Sequence, residues 1–405
     1  MIVIIGAGLA GLTAGRVLWD AGCRDFLICE KKTRVGGRLA TETDDEFLFD
    51  VGFAVLNPAY PMVAKYLSLP DLGLKYFDAG AVLLHGNGQI STLFDPIAHP
   101  EKALSMIAQK FPSWPDRLRT LALRMRTKPL ERPRDDGITA LEGLRSVGFS
   151  ELYIDKFFRP FFAGVFLDRD LSVSDELFRY LFNYFSKSRV ALPAGGMNAV
   201  AQNLARSIPA ENISLGVAAE SIENGKITLS DGKVLHPWAT ILAVDARSAA
   251  NLVADRGDDA FRSVTTAYFA AETIPWRQRL LALNSSGKGW INHLAVLSNI
   301  QPSYAKQQRH LVAVSGVGPM PPMSPAQAQR YLQSELVELL GREALSWEFL
   351  RMYPVTHALP MRFGHTHYES AGLIHAGDYL ENPSIQGAMM SGEKAAHLAL
   401  QRRPK

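Results

Sequence analysis

Cysteine is scarce in this 405-residue chain, which holds only Cys23 and Cys29. The two lie six apart with no paired Cys/His spacing around them. That argues against a zinc site and a disulfide framework, and it fits a reducing compartment. Long apolar runs are missing as well, since no uninterrupted stretch approaches the ~20 residues a membrane span needs. The N-terminal apolar stretch has no basic segment ahead of it, and Gly6, Gly8 and Gly11 interrupt it early, unlike a secretory signal. A cytoplasmic, non-spanning protein is therefore expected. Charge of one sign is also lacking: the net charge of +3 is too small to argue for nucleic acid as a partner. What remains is an ordinary globular balance, 47% hydrophobic and 20% charged, in a chain long enough for two domains.

The first residues carry the clearest pattern. Residues 1–5 form a β-branched run suited to a strand buried on both faces. It leads directly into Gly6-Ala7-Gly8-Leu9-Ala10-Gly11, and a helical pattern with Leu12, Val17 and Leu18 follows. This strand–turn–helix context is what a dinucleotide-binding turn requires. Gly6 permits the turn, Gly8 lets backbone approach a pyrophosphate, and Gly11 lets helix pack on strand. Ala10 sits in the first helical turn, whose N–H groups favour phosphate. A second strand, Phe26 to Cys29, ends at Glu30, 19 residues beyond Gly11. A carboxylate there accepts ribose hydroxyls and disfavours a 2′-phosphate.

Glu30-Lys31 continues to Val35-Gly36-Gly37-Arg38. In this segment the chain resembles the flavin amine oxidase and phytoene desaturase superfamily. The resemblance implies that Gly36, Gly37 and Arg38 close over the pyrophosphate of FAD, with Arg38 neutralising it through its planar fork. Asp50-Val51-Gly52 resembles the family's next motif, which turns the chain toward the flavin. Further along, Gly195-Gly196-Met197 resembles the segment leading back into the cofactor domain, and Ala219 falls where backbone touches adenine. Near the C-terminus, Gly377-Asp378 and Gln386-Gly387-Ala388-Met389-Met390-Ser391-Gly392 resemble the family's closing block. There Asp378 is expected to bind ribityl hydroxyls. The helix start at Gln386, Gly387 and Ala388 is expected to face the flavin edge that gains negative charge on reduction. Neither cysteine is near this block, so the FAD is expected to be non-covalent.

The resemblance implies an α/β fold. A Rossmann-type, glutathione-reductase-like FAD-binding domain would be built from residues 1–80, 186–255 and 356–405. A mixed α+β substrate domain with a helical cap would come from 81–185 and 256–355. Residues 149–185 hold 12 aromatics, which read either as a helical core or as the wall of a substrate cavity. The stretch 100–134 holds nine Lys/Arg against three Asp/Glu, with apolar residues interleaved. It reads as a solvated helix face or as a peripheral membrane contact.

Catalytic residues are less legible. Amine oxidases of the family carry a lysine on a substrate-domain strand near the flavin, and the strand Val264 to Phe269 has none. Tyr353 and His357 fall where a substrate-facing aromatic is usual, and His293 is a third candidate; each also reads as structural. No metal site is expected. The expected function is a desaturase- or oxidase-type FAD enzyme acting on a small apolar, isoprenoid-like substrate, with oxygen or a quinone as electron acceptor. A flavin amine oxidase and a non-catalytic flavin-binding protein are the alternatives.

Overall fold

The computed structural model describes residues 1–102, 109–127, 133–134, 137–253, 260–364 and 368–403. Strand β1 (Ile2–Ile5) lies between Ala239–Leu242 and β2 (Phe26–Glu30) and runs parallel to both. Ile213–Leu215 extends the sheet beyond β2, and Leu373–His375 extends it on the other side. A short antiparallel strand, Glu369–Ser370, finishes that edge. Every residue of β1 is buried, the environment that a continuous β-branched run suits. Helix α1 (Leu9–Asp20) follows the glycine turn, and the C-terminal helix Ile385–Gln401 crosses it closely. A Cβ at Gly392 would lie 2.1 Å from the Ala10 carbonyl oxygen, so the crossing needs a glycine there.

The second sheet has seven strands. Its order is Glu348–Pro360, Phe261–Ala271, His310–Val317, Ile291–Val296, Leu281–Asn284, Gly80–Gly86 and Gln89–Phe94. The domain boundary expected at 355/356 falls inside the first of these strands. Pro354 and Pro360 look like strand breakers in the sequence, but this strand lies on the sheet edge, where a missing N–H removes no ladder bond. Helix Pro325–Leu340 covers one face through Leu332, Leu336 and Leu339.

Helices Trp114–Arg126, Ala140–Val147, Arg159–Phe166 and Asp175–Lys187 form the cap. Ser113, Thr139 and Ser174 cap three of them, Thr139 reciprocally with Glu142. The aromatic segment is mostly the core of this cap. Phe158, Phe162, Phe166, Phe178, Tyr180 and Phe182 are buried, and Phe162 meets Phe178 edge-on at 4.8 Å. Such pairs prefer this geometry and fill volume efficiently. Phe157 and Phe161 are only partly buried and pack against Ala81, Leu83 and Leu283 of the second sheet. Residues 103–108 and 128–132 of the basic stretch lie outside the described residues. Among the described residues, no helix is long and apolar enough to cross a membrane, and no cluster of His, Cys, Asp or Glu is arranged to hold a metal.

Candidate cofactor and active site

The strand β1 ends at Gly6, whose φ of +105° and close approach to Ala243 exclude a side chain: its Cβ would lie 2.5 Å from the Ala243 carbonyl oxygen. Helix α1 then starts with no side-chain cap and no acid in its first turn. Its N-terminal N–H groups, Ala10 and Gly11 among them, are therefore available to an anion. In front of this helix start there is room, since a Cβ at Gly8 would meet nothing within 4 Å. The Gly-Gly-Arg segment folds over the same turn. Gly36 N–H donates to the Ala7 carbonyl at 2.8 Å, and Gly37 lies directly against Gly8. Asn198, with its amide nitrogen toward this loop, donates to the Val35 and Leu39 carbonyls at 3.0 Å each.

Glu30 is buried at the end of β2. Its Oε2 accepts from Ala7 N–H at 2.8 Å and its Oε1 from Lys32 N–H at 2.9 Å. The carboxylate is thus fixed beside the glycine turn, with lone pairs remaining for hydroxyl donors. Lys31 is exposed next to it. The returning chain is tied to the same place, because Gly216 N–H donates to the Lys32 carbonyl and Val217 N–H to the Glu30 carbonyl, both at 2.9 Å. Ala219 follows two residues later, at the start of the strand Ala219–Glu223.

Arg38 and Asp378 are brought together from opposite ends of the chain. The guanidinium donates to both carboxylate oxygens, at 2.8 and 2.6 Å, and to the Ala358 carbonyl at 2.9 Å. Gly377 N–H is held by Ser391 Oγ at 2.9 Å, which anchors the Gly-Asp pair to the C-terminal helix. At the start of that helix Ser384 Oγ takes Gly387 N–H at 3.0 Å, and the Ala388 N–H goes to the Ser384 carbonyl. The free N–H groups at this end therefore start one residue earlier than expected, at Ile385 and Gln386, and Gly387 and Ala388 are not among them. The Gln386 side chain itself is structural: its Oε1 accepts from Met62 N–H at 2.9 Å.

Asp50 is corrected in the same way. Its buried carboxylate accepts from Thr41 Oγ1 at 2.6 Å, Met197 N–H at 2.8 Å and Tyr304 Oη at 2.6 Å. Burial pushes this carboxyl up, and the three donors pull it back. The side chain is committed to the protein, so the contribution of this motif toward a cofactor falls to Gly52, which lies against Val355 and Val264.

The three candidate catalytic residues separate. Tyr353 Oη donates to Glu42 at 2.7 Å on the outer edge of the sheet, and burial together with that carboxylate pushes it up to about 12. His357 is half-buried, with Nε2 3.0 Å from Arg247 and its ring against Phe261. His293 is buried, and its ring meets Phe53, the residue after Gly52, at 4.8 Å. Its Nδ1 accepts from Asn292 Nδ2 at 3.0 Å, which leaves the proton on Nε2, and Nε2 has no partner among the described residues. Burial lowers this imidazole to about 4, so it is neutral at physiological pH.

Sequence reasoning missed Asn57. It is 1% exposed and its Nδ2 has no partner among the described residues. It lies between Phe53 and Tyr60, and Tyr60 packs edge-on to Tyr184 at 5.0 Å. The Asn57-Pro58 dipeptide reads as a loop breaker, and nothing in the sequence marks its amide as buried.

These residues fit FAD. A side chain at Gly8 would project into the room before α1, where a diphosphate meets the helix N-terminus. Glu30 suits ribose hydroxyls, and the Arg38–Asp378 pair suits phosphate and ribityl oxygens. The flavin containing amine oxidoreductase family matches residues 9–400. The chain belongs to that family of FAD-dependent oxidoreductases. Among curated relatives, polyamine oxidase 6 of Oryza sativa subsp. japonica is 33% identical over 76 residues, 17% of this chain and 15% of that protein. The 4,4'-diapolycopene oxygenase of a Methylomonas species is 46% identical over 56 residues, 14% of this chain and 11% of that protein. Both matches span a small part of the relative's length. A triple mutant of putrescine oxidase superposes over 99% of each chain with a TM-score of 0.74 at 17% identity, which shows that the α/β fold is shared.

Proposed function

We propose that the chain is an FAD-dependent oxidoreductase of the desaturase or oxidase type, acting on an apolar, isoprenoid-like organic substrate with dissociable FAD. When bound, FAD supplies hydride acceptance at N5 and passes the electrons to oxygen or a quinone. The protein's own part is to hold and orient. The glycine turn, Glu30 and Arg38 bind the nucleotide half, and Asp378 with the first turn of Ile385–Gln401 binds the flavin half. The observation that carries the substrate class is the lining beside Gly52: Val355 from the edge strand Glu348–Pro360 and Val264 from the strand next to it, with no lysine on Phe261–Ala271. Such a lining places and desolvates a C–H bond, and positioning then supplies much of the rate. The neutral His293 offers one buried N–H donor beside Phe53 for a single polar group on the substrate. The short match to a 4,4'-diapolycopene oxygenase supports this reading.

A second reading, a flavin amine oxidase, is favoured by the polyamine oxidase match and the fold likeness to putrescine oxidase. A panel of polyenes, tetrapyrrole precursors and amines, mixed anaerobically with the purified protein, separates the two. Flavin bleaching by an apolar substrate with none by benzylamine or a polyamine is the expected result. Rapid bleaching by either amine overturns it in favour of amine oxidation. A third reading, flavin binding without turnover, fails on any steady-state turnover.

A further inference from the structure

The helix Trp114–Arg126 turns its apolar ridge away from the protein. Trp114, Leu118, Leu121 and Met125 are 56%, 63%, 43% and 75% exposed. At about 100° per residue these four fall within an arc of about 60°. The residues of the helix that are buried, Asp116 and Leu123, lie on the opposite side. Arg117 and Arg124 flank the ridge on one side and the exposed Arg126 on the other, while Arg119 lies nearer the inward side, 3.9 Å from Asp116. A helix that only covers a core points its apolar ridge inward. Here the inward side is fixed instead by a buried carboxylate: Asp116 accepts from Ser113 Oγ at 2.5 Å, Ser150 Oγ at 2.7 Å and Ser150 N–H at 2.9 Å. Two more exposed apolar residues flank the helix. Ile97, 56% exposed, has its N–H on Asp95, which also holds Arg124 at 2.7 Å. Leu152, 60% exposed, lies two residues after Ser150.

We propose that this helix docks the protein on an anionic lipid surface, its ridge sunk among the acyl chains and the arginines that flank it level with the phosphates. A helix with an apolar ridge between two basic flanks lies in the plane of such an interface. The charge pattern selects this occupant over a second copy of the chain. Two such ridges packed together would face arginine rows against arginine rows, whereas a plane of phosphates meets both rows at once.

The test uses the full-length protein as purified, sedimented with phosphatidylcholine vesicles and with vesicles that also contain phosphatidylserine. Binding to the anionic vesicles alone is expected, weakening as salt shortens the screening length. Each arginine at the surface is worth about fivefold, so Arg126→Gln should weaken binding about fivefold. Leu118→Gln with Met125→Gln should abolish it, and both variants change exposed residues and should leave the melting temperature unchanged. Fluorescence gives a second readout: a blue shift on anionic vesicles that Trp114→Phe removes. Equal binding to both vesicle types, binding to neither, or anionic binding indifferent to both variants overturns the proposal. So does a concentration-dependent dimer that Leu118→Gln with Met125→Gln dissolves, since the ridge would then be an interface between copies.

Discussion

The buried His293 makes stability depend on pH in a way that can be isolated. Burial lowers its imidazole to about 4, against an ordinary value of 6.5 in the unfolded chain. Between these values the unfolded state binds a proton that the folded state refuses. Stability from this residue is therefore complete above pH 6.5, falls as the pH drops through the window, and has been lost by pH 4. From the two values, the loss between pH 7 and pH 5 is about 2 kcal/mol. His293→Asn removes the titration and keeps a polar side chain; the constant cost of that change cancels when the two pH values are compared. Urea unfolding of both proteins at pH 7 and pH 5 gives the quantity needed. The wild type should lose about 2 kcal/mol more than the variant on acidification. A difference under ~0.5 kcal/mol would refute the buried neutral imidazole, and with it the Nε2–H donor assigned to the substrate side.

Two further predictions concern the cofactor. Glu30→Ala and Arg38→Ala should each weaken FAD binding about ten- to hundredfold, the loss of a hydrogen bond to a charged group, measured by flavin fluorescence on titration of the apoprotein. An unchanged dissociation constant for both would mean that the nucleotide lies elsewhere. FAD should also be released by acid or denaturant, because Cys23 and Cys29 are both buried within the first-domain core and neither belongs to the C-terminal block. Yellow colour that stays with the precipitated protein would show a covalent bond.

What the sequence made legible follows a physical rule. The glycine turn, Glu30, Gly36-Gly37-Arg38 and Gly377-Asp378 were readable because their chemistry sits in consecutive residues whose type is dictated by close backbone approach or by charge. Side chains whose role is set by partners far along the chain were not. Gln386 reads as part of an anion-facing helix start through its backbone, but its side-chain amide oxygen holds Met62 N–H, 324 residues away, which the sequence does not show. The aromatics of 149–185 could form a core or a cavity wall with the same periodicity; only three-dimensional packing separates Phe162, fully enclosed, from Phe161 on the sheet-facing side. The outward ridge of Trp114–Arg126 is a related case. The sequence gives the amphipathic spacing, but which side faces inward depends on Asp116 meeting Ser150, a contact across the cap.

Asp50 shows why a motif can be essential to a cofactor site without touching the cofactor. Its carboxylate draws donors from three places: Thr41 on the neighbouring strand, Met197 after the second glycine pair, and Tyr304 from the substrate half. Its own carbonyl accepts from Tyr268 Oη at 2.7 Å, on the strand that also carries Val264. A buried carboxylate is costly unless such donors satisfy it, and here one residue ties the seven-stranded sheet and the segment after Gly195-Gly196 to the Gly52 turn. The distance between the nucleotide cradle and the apolar lining is thereby fixed by side chains, not by the loop alone. In a reaction that depends on holding a C–H bond against a flat ring, an error of about 1 Å can cost about a hundredfold in rate. The acid in Asp50-Val51-Gly52 is then accounted for by registration of the two halves of the molecule, and the glycine by the approach it permits.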